Sequence, residues 1–249
     1  MKRTERHHLK ENEFAEWLLG AKAWYEGNRN LVVYGGMAIA LIAIAVTATL
    51  VSRQISAGAA DRMLAEALVV AESPVMPPAT AEPGKAPMQP PGTYPNERAR
   101  LEAALPRLLA VAETYPSGAA GIMARYRAAS ALAALGRTAD AVARYREVTE
   151  KTTGLYQVMS RLGIADAQLA AGQFDQAIAS LKEMSQAKPD DAPLDGVLMQ
   201  LARAYRLAGK PDDAARTFKR VTDEFPQSTY ATQARHEIDT MEGGKPATR

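Results

Sequence analysis

The sequence contains no cysteine, and this excludes several kinds of site at once. A chain without thiols forms no disulfide, binds no metal through thiolates and has no cysteine nucleophile. It does not indicate a compartment, because cysteine-free chains occur on both sides of a membrane.

Histidines and aromatic residues are also scarce: the chain has 3 histidines, and aromatic residues make up 6% of it. Catalysis needs a base or nucleophile held beside a partner. His7 and His8 are adjacent in a charged N-terminal arm, and His236 lies between Arg235 and Glu237, so all three are interpreted as surface residues. Since no Gly-rich phosphate loop is present either, the sequence predicts no enzyme, no cofactor and no metal site.

Neither sign of charge is in excess, with 30 basic against 28 acidic side chains. The sequence therefore predicts no nucleic-acid partner. Two aspartate pairs, Asp190-Asp191 and Asp212-Asp213, are candidate metal ligands by composition. Both occur where a turn or a first helical turn is expected, so they are interpreted as helix caps.

Residues 31–51 form an apolar run, LVVYGGMAIALIAIAVTATLV, that contains no charged residue. As a helix it would be about 31 Å long, which matches the hydrocarbon core of a bilayer. A cleaved signal peptide is the alternative, with Ala57-Gly58-Ala59 as its cleavage site. The run is too long and begins too far from the N-terminus for that pattern. The sequence predicts an uncleaved single-pass anchor in the lipid bilayer.

The basic residues indicate the orientation of this anchor. The arm at residues 1–30 contains six lysines and arginines, whereas only Arg53 and Arg62 occur in the twenty residues after the run. The positive-inside rule then predicts an anchor in the cytoplasmic membrane, with a cytoplasmic N-terminus and an extracytoplasmic C-terminal part. The arm itself has aromatic residues at helical spacing, which predicts an amphipathic interfacial helix.

The stretch after the anchor divides into two segments. Residues 52–72 have helical periodicity and would extend the anchor helix. Residues 73–96 contain eight prolines, which favours an extended linker or insertion. Matches to the PxxP spacing of recognition peptides leave ligand function open for this segment.

Residues 97–241 contain an internal repeat, and residues 242–249 are predicted to be a flexible tail. Gly136, Gly172 and Gly209 are 36 and 37 residues apart, and Ala141, Ala177 and Ala214 follow in step. This period is typical of stacked helix pairs. The sequence predicts an all-α protein: one transmembrane helix, then a solenoid of three to four helix pairs plus a capping helix. Residues 52–72 and 97–114 would form the first pair, split by the proline-rich segment.

In these positions the sequence resembles the tetratricopeptide repeat (TPR). The resemblance implies a concave groove, lined by the first helix of each pair, that binds extended peptides or partner helices. By offset, the groove would contain Met123, Tyr126, Arg127, Met159, Leu162, Asp166, Met199, Arg203 and Arg206. The Lys and Asn residues of the carboxylate clamp found in related repeats are not at the matching positions. An alternative is that several of these methionines pack between helices.

The whole layout resembles the ancillary subunit family of the bacterial SecYEG translocon. That resemblance implies a non-enzymatic, membrane-anchored adaptor whose partners are secretory clients, periplasmic chaperones or SecYEG itself. Two alternatives are a cell-envelope scaffold for division or outer-membrane assembly, and a signalling adaptor that faces the cytoplasm.

Overall fold

The computed structural model describes residues 17–22, 24–78, 88–186 and 193–243. His7, His8, Asp190 and Asp191 lie outside these residues. The chain divides into two compact units, Met1–Ser56 and Ala57–Arg249. Helix α1, Arg29–Ala71, begins in the first unit and ends in the second.

In the first unit, residues 17–22 and 24–27 are helical, and α1 follows. The part of α1 that belongs to this unit exposes its large apolar side chains, including Leu41, Ile42 and Ile44. Within the described residues, α1 is the one helix whose length and composition suit a membrane span. A signal sequence, which is the alternative, can have the same length and composition.

The second unit is built from antiparallel helix pairs, as the sequence predicts. After α1 its helices are α2 (Glu97–Thr114), α3 (Ala119–Ala134), α4 (Thr138–Lys151), α5 (Leu155–Ala170), α6 (Phe174–Ser185), α7 (Leu194–Leu207), α8 (Pro211–Glu224) and α9 (Thr229–Gly243). The described residues contain no β-strand, and the predicted all-α solenoid is confirmed.

Each pair from α3 to α8 turns at a glycine with positive φ. Gly136, Gly172 and Gly209 have φ of 77°, 73° and 69°. A residue with a Cβ is strained in this left-handed region, so glycine ends the first helix at little cost. The same hydrogen bond closes each turn: Arg137 N donates to Leu132 O at 2.9 Å, Gln173 N to Gln168 O at 2.8 Å, and Lys210 N to Tyr205 O at 2.9 Å.

Small and large residues alternate where the helices pack. Ala141, Ala177 and Ala214 are fully buried, which allows the second helix of each pair to approach the first closely. Four residues later, Tyr145, Leu181 and Phe218 are buried between neighbouring pairs. The positions that repeat in the sequence are therefore the positions where the helices pack against each other.

The C-terminal part of α1 belongs to the core of the second unit. Ala60, Leu64 and Ala67 are buried in one cluster with Leu105 and Leu108 of α2. A segment that contains the prolines separates the two helices along the chain. Its base is closed by backbone hydrogen bonds, from Met76 N to Tyr94 O at 2.8 Å and from Tyr94 N to Pro74 O at 3.0 Å.

Asp212 and Asp213 differ in one respect from the sequence interpretation. Both lie in the first turn of α8, where a negative charge is stabilised by the helix dipole. The residue at the N-cap is Lys210, however, and no side chain donates or accepts a capping hydrogen bond there. Asp213 instead accepts a hydrogen bond from Arg216, one turn further along the helix.

Candidate functional site

The first helices of neighbouring pairs form one continuous face. Helix α3 contacts α5, and α5 contacts α7, whereas no such contact joins the described parts of α4, α6 and α8. Helices that approach each other lie on the shorter, inner side of a curved stack. We call the surface of α3, α5 and α7 that faces away from α4, α6 and α8 the inner face.

The residues that the sequence assigns to this face differ in their exposure to solvent. Arg127, Asp166 and Arg206 are exposed, and Met123, Tyr126, Met159, Leu162 and Arg203 are partly buried. Met199 is only 1% exposed and belongs to the core cluster of the C-terminal pairs. Its burial agrees with the alternative that methionines pack between helices, so Met199 has no accessible surface for a ligand.

Three tyrosines form a cluster where α3, α4 and α5 meet. The ring centroids of Tyr126 and Tyr156 are 5.7 Å apart in a T-shaped arrangement. Tyr126 and Tyr145 are also 5.7 Å apart, with tilted rings. Tyr156 is not among the residues that the sequence assigns to the groove. It precedes Met159 by three residues and Asp166 by ten, however, which places all three on one side of α5.

Tyr145 extends from the second helix of its pair towards the inner face. Its ring packs directly against Gly163 of α5, where an added Cβ would lie 2.5 Å from the ring carbon Cζ. The side chain of Ser130, an exposed residue of α3, lies near its hydroxyl. Burial raises the pKa of Tyr145 to about 12, while the interaction with Ser130 acts in the opposite direction.

Asp166 is the acidic residue of the inner face on α5. Its carboxylate accepts a hydrogen bond from Gln200 Nε2 of α7 at 3.3 Å. Burial raises the pKa of Asp166 above its usual value, and the positive charge of Arg203 opposes this shift. The residue is nevertheless exposed to solvent.

The arginines of the inner face differ in their partners. Arg127 lies 3.6 Å from Glu72, and Arg206 lies 3.7 Å from Glu237. Among the described residues, no carboxylate oxygen lies within 4.0 Å of the Arg203 guanidinium. The charges of Asp166 and Arg203 therefore influence each other without forming an ion pair.

A different arginine stabilises the stack from within. Arg125 of α3 is buried, and its guanidinium donates to Ala112 O at 2.7 Å and to Pro116 O at 3.3 Å. Its Nε lies 2.9 Å from a carboxylate oxygen of Glu147 on α4. The next pair repeats the arrangement with Arg161 and Glu183. In both pairs the glutamate follows the arginine by 22 residues. This repeated spacing is visible in the sequence and could have predicted the two ion pairs.

The described residues do not form a recognisable catalytic or metal centre. No group of three or more histidine, aspartate or glutamate residues is close enough there to hold a metal ion. His236 is exposed on α9. The groups that remain accessible on the inner face are tyrosine rings, amides and opposite charges, which suit hydrogen bonding and ion pairing with another molecule.

A tetratricopeptide repeat family model matches residues 132–198 and 168–236. No curated protein matches the chain. A Podosopora anserina protein assigned as a kinesin light chain, with nearly identical TPR-like repeats, has 17% identity and a TM-score of 0.48, covering 59% of this chain and 81% of its own. A tetratricopeptide repeat protein from Parabacteroides merdae has 14% identity and a TM-score of 0.46, covering 59% and 56%.

The family match, which begins near the end of α3, contains the repeated glycines, buried alanines and turn hydrogen bonds. That fold is a non-catalytic scaffold for protein–protein interaction. Residues 132–236 thus match tetratricopeptide repeats.

Proposed function

We propose that this protein is a membrane-anchored, non-enzymatic adaptor that binds other proteins on its inner face. The observation that carries this proposal is the inner face itself, where tyrosine rings, Asp166 and Arg203 remain accessible. Aromatic rings beside an acidic and a basic side chain provide contacts that suit another polypeptide.

The apolar run of α1 supports the membrane anchor. Residues 31–51 expose their large apolar side chains along more than five helical turns. In water this surface would be costly, whereas a bilayer covers it. The polar side chains of the run suit lipid as well, since Thr47 Oγ1 donates to Ala43 O at 2.8 Å and Thr49 Oγ1 donates to Val46 O at 2.7 Å.

The proposed orientation places the N-terminal arm in the cytoplasm and the repeats in the periplasm. It rests on the excess of basic residues before the run. The proposed partners are secretory clients, periplasmic chaperones or the SecYEG translocon, and they rest on the layout of anchor and repeats. A cell-envelope scaffold and an adaptor facing the cytoplasm are the competing functions.

Two fusions of alkaline phosphatase test the orientation, because this enzyme is active only outside the cytoplasm. A fusion after Arg249 is expected to be active, and a matched fusion after Asn28 is expected to be inactive. An inactive C-terminal fusion at equal expression would favour the cytoplasmic adaptor. The mass of the purified protein tests cleavage at the same time, since the anchor hypothesis requires residues 1–59 to be retained.

Photocrosslinking from the inner face tests protein binding. A photoreactive amino acid in place of Tyr126 or Arg203 is expected to trap the same partners in intact cells. Lys219 is the matched control, because it is exposed on α8, a second helix of a pair. Equal products from all three positions would contradict the inner face as the binding surface, and an absence of secretory or Sec components would contradict the proposed partners.

We also infer that the last turns of α1 and helix α2 form a repeat that the proline-rich segment interrupts. Shared burial of Leu64 and Leu108 supports this inference. The turn after α2 supports it too: Tyr115 N donates to Val111 O at 3.0 Å, as Phe225 N does to Val221 O at 3.1 Å after α8. Replacing residues 78–88 with a short Gly-Ser linker is expected to leave the thermal midpoint unchanged, and loss of folding would contradict the inference.

A further inference from the structure

We propose that the inner face binds an extended polypeptide segment of mixed charge, and this rests on the proposed adaptor function. In this proposal Asp166 binds a lysine or arginine side chain beside the rings of Tyr126 and Tyr156. Arg203 binds an aspartate or glutamate side chain about three residues away along the same segment. The partner is thus recognised by one basic and one acidic residue at a set spacing.

Asp166 is available to a cationic group. Gln200 is its hydrogen-bond partner, and no lysine or arginine nitrogen of the described residues lies within 4.0 Å of it. A carboxylate has room for about four hydrogen bonds, so a bound ammonium or guanidinium group has acceptor sites left. Because the surrounding protein desolvates this carboxyl and raises its pKa, an ion pair formed there would be stronger than one at an open surface.

The tyrosine rings add a second reason to place a cation at this point. Tyr126 is close enough to Asp166 for the carboxylate charge to act on its hydroxyl. Its ring meets that of Tyr156 at an interplanar angle of 61°, and both side chains are only partly buried. A cationic side chain beside Asp166 can therefore also contact aromatic surface, which favours lysine or arginine over a neutral side chain.

Arg203 accounts for the acidic residue of the proposed segment. It is partly exposed on α7 and has no ion-pair partner within 4.0 Å among the described residues, whereas Arg127 and Arg206 face Glu72 and Glu237. A purely basic segment would be repelled by Arg203, and a purely acidic one would be repelled by Asp166. A segment with both charges satisfies the two groups together.

The repeat sets the spacing of the two charges. Asp166 and Arg203 occupy equivalent positions on α5 and α7, which are neighbouring first helices in contact. Packed helices lie roughly 8–10 Å apart. A chain in the extended polyproline II conformation advances about 3.1 Å per residue and brings every third side chain to the same side, so the two side chains of the ligand are separated by about three residues. We therefore expect the pattern Lys-x-x-Glu in one chain direction and Glu-x-x-Lys in the other.

Fluorescence anisotropy with synthetic peptides tests this proposal on the full chain in detergent micelles. The probes are labelled ten-residue peptides that contain Lys-Ala-Ala-Glu, Glu-Ala-Ala-Lys, two lysines or two glutamates at the same positions. One mixed-charge peptide is expected to bind about tenfold more tightly than either single-charge peptide. Equal affinity for all four peptides would overturn the proposal.

Variants make the assignment specific. Asp166→Asn is expected to remove the preference for lysine, and Arg203→Gln the preference for glutamate. The double variant Asp166→Arg with Arg203→Asp is expected to prefer the mixed peptide of opposite direction, which a merely structural role would not produce. Arg216→Gln is the matched control, since Arg216 is exposed on α8 and its loss is expected to leave all affinities unchanged.

Two outcomes separate this inference from the proposed function. If crosslinking from Tyr126 traps proteins but the charge reversal leaves peptide direction unchanged, the mixed-charge proposal is wrong and the adaptor function stands. If neither peptides nor crosslinked proteins are recovered, both are wrong. The thermal midpoint of Asp166→Asn serves as the folding control, and it is expected to equal or exceed that of the unchanged protein, because a desolvated carboxyl has been removed.

Discussion

Gly163 determines how closely a tyrosine can approach the inner face. An added Cβ at this residue would lie 2.5 Å from Cζ and 2.8 Å from both Cε carbons of the Tyr145 ring. The ring occupies that space, and the side chain of Ser130 on α3 lies near its hydroxyl. The absence of one side chain on α5 thus allows a residue of α4 to join the tyrosine cluster.

Replacing Gly163 with alanine is expected to lower the free energy of unfolding. Displacing the Tyr145 ring costs about 1–3 kcal/mol, which outweighs the gain of roughly 1 kcal/mol in helix propensity. Gly196→Ala is the matched control in α7, because its Cβ would meet the Tyr230 ring at an ordinary 3.5 Å. Urea unfolding followed by circular dichroism measures both, and a stability of Gly163→Ala equal to that of Gly196→Ala would contradict the predicted clash.

Tyr145 is also expected to make the free energy of unfolding fall at alkaline pH. Its pKa is about 12 in the folded protein against 10.0 as the ordinary value, so the unfolded chain loses this proton first. The contribution of the neutral hydroxyl is then fully present below pH 10 and is lost as the pH rises through about 12. We expect Tyr145→Phe to lose less stability than the unchanged protein over this range, as measured by urea unfolding at several pH values. Parallel declines would show that Tyr145 is not responsible.

At the scale of helices, Arg125 connects three successive elements of the stack. From α3 it donates to carbonyl groups at the end of α2 and in the turn that follows, and it reaches Glu147 on α4. Helix ends leave carbonyl groups without partners, so a buried guanidinium at this point satisfies groups that would otherwise be costly. The equivalent Arg161 makes its pair with Glu183 at the surface, where 38% and 74% of the two side chains are exposed.

This difference predicts unequal effects for the same substitution. Arg125→Met is expected to cost about 2–3 kcal/mol, because buried carbonyl groups lose their donor. Arg161→Met is expected to cost less than about 1 kcal/mol, since exposed ion pairs contribute little. Thermal and urea unfolding of the two variants measure the difference. Equal losses would contradict the role of Arg125 as a connector of helices.

At the scale of the whole molecule, the proposed function places residues 31–51 and the second unit in different surroundings. The second unit buries its apolar residues between helices, in two core clusters that join α1 to α4 and α5 to α9. The first unit leaves them exposed over residues 31–51. A single chain with both patterns is explained if residues 31–51 lie in lipid and the second unit lies in water.

A charge in the middle of the apolar run tests this explanation. Ile42→Lys places a lysine near the bilayer centre, at an expected cost of about 2.5–3.5 kcal/mol of insertion free energy. We expect a smaller share of the protein to resist carbonate extraction from membranes. Ser56→Lys, which lies beyond the run, is the matched control and is expected to remain membrane-bound. Equal extraction of the two variants would count against a membrane span.

The repeated elements were predictable from sequence because they depend on local chemistry. Gly136, Gly172 and Gly209 mark helix ends through their own backbone freedom, and the spacing of Ala141, Ala177 and Ala214 determines which faces can approach. The candidate site was predictable only in part. Tyr126 and Asp166 follow from the repeat offset, whereas Tyr156 was missed and Met199 lies in the core.

What the tertiary structure alone decided depends on which helices touch. The position of the Tyr145 hydroxyl near Ser130 and the burial of Arg125 involve side chains from two or more helices. The same holds for Asp166 and Arg203, whose charges form no ion pair within the described part of the chain. Helical periodicity predicts which face of a helix a side chain occupies, but it does not predict which side chains of the neighbouring helix will contact it. The order of the helices and the positions of their turns were thus predictable from the sequence, whereas the contacts and exposed groups of the inner face depend on how the helices pack.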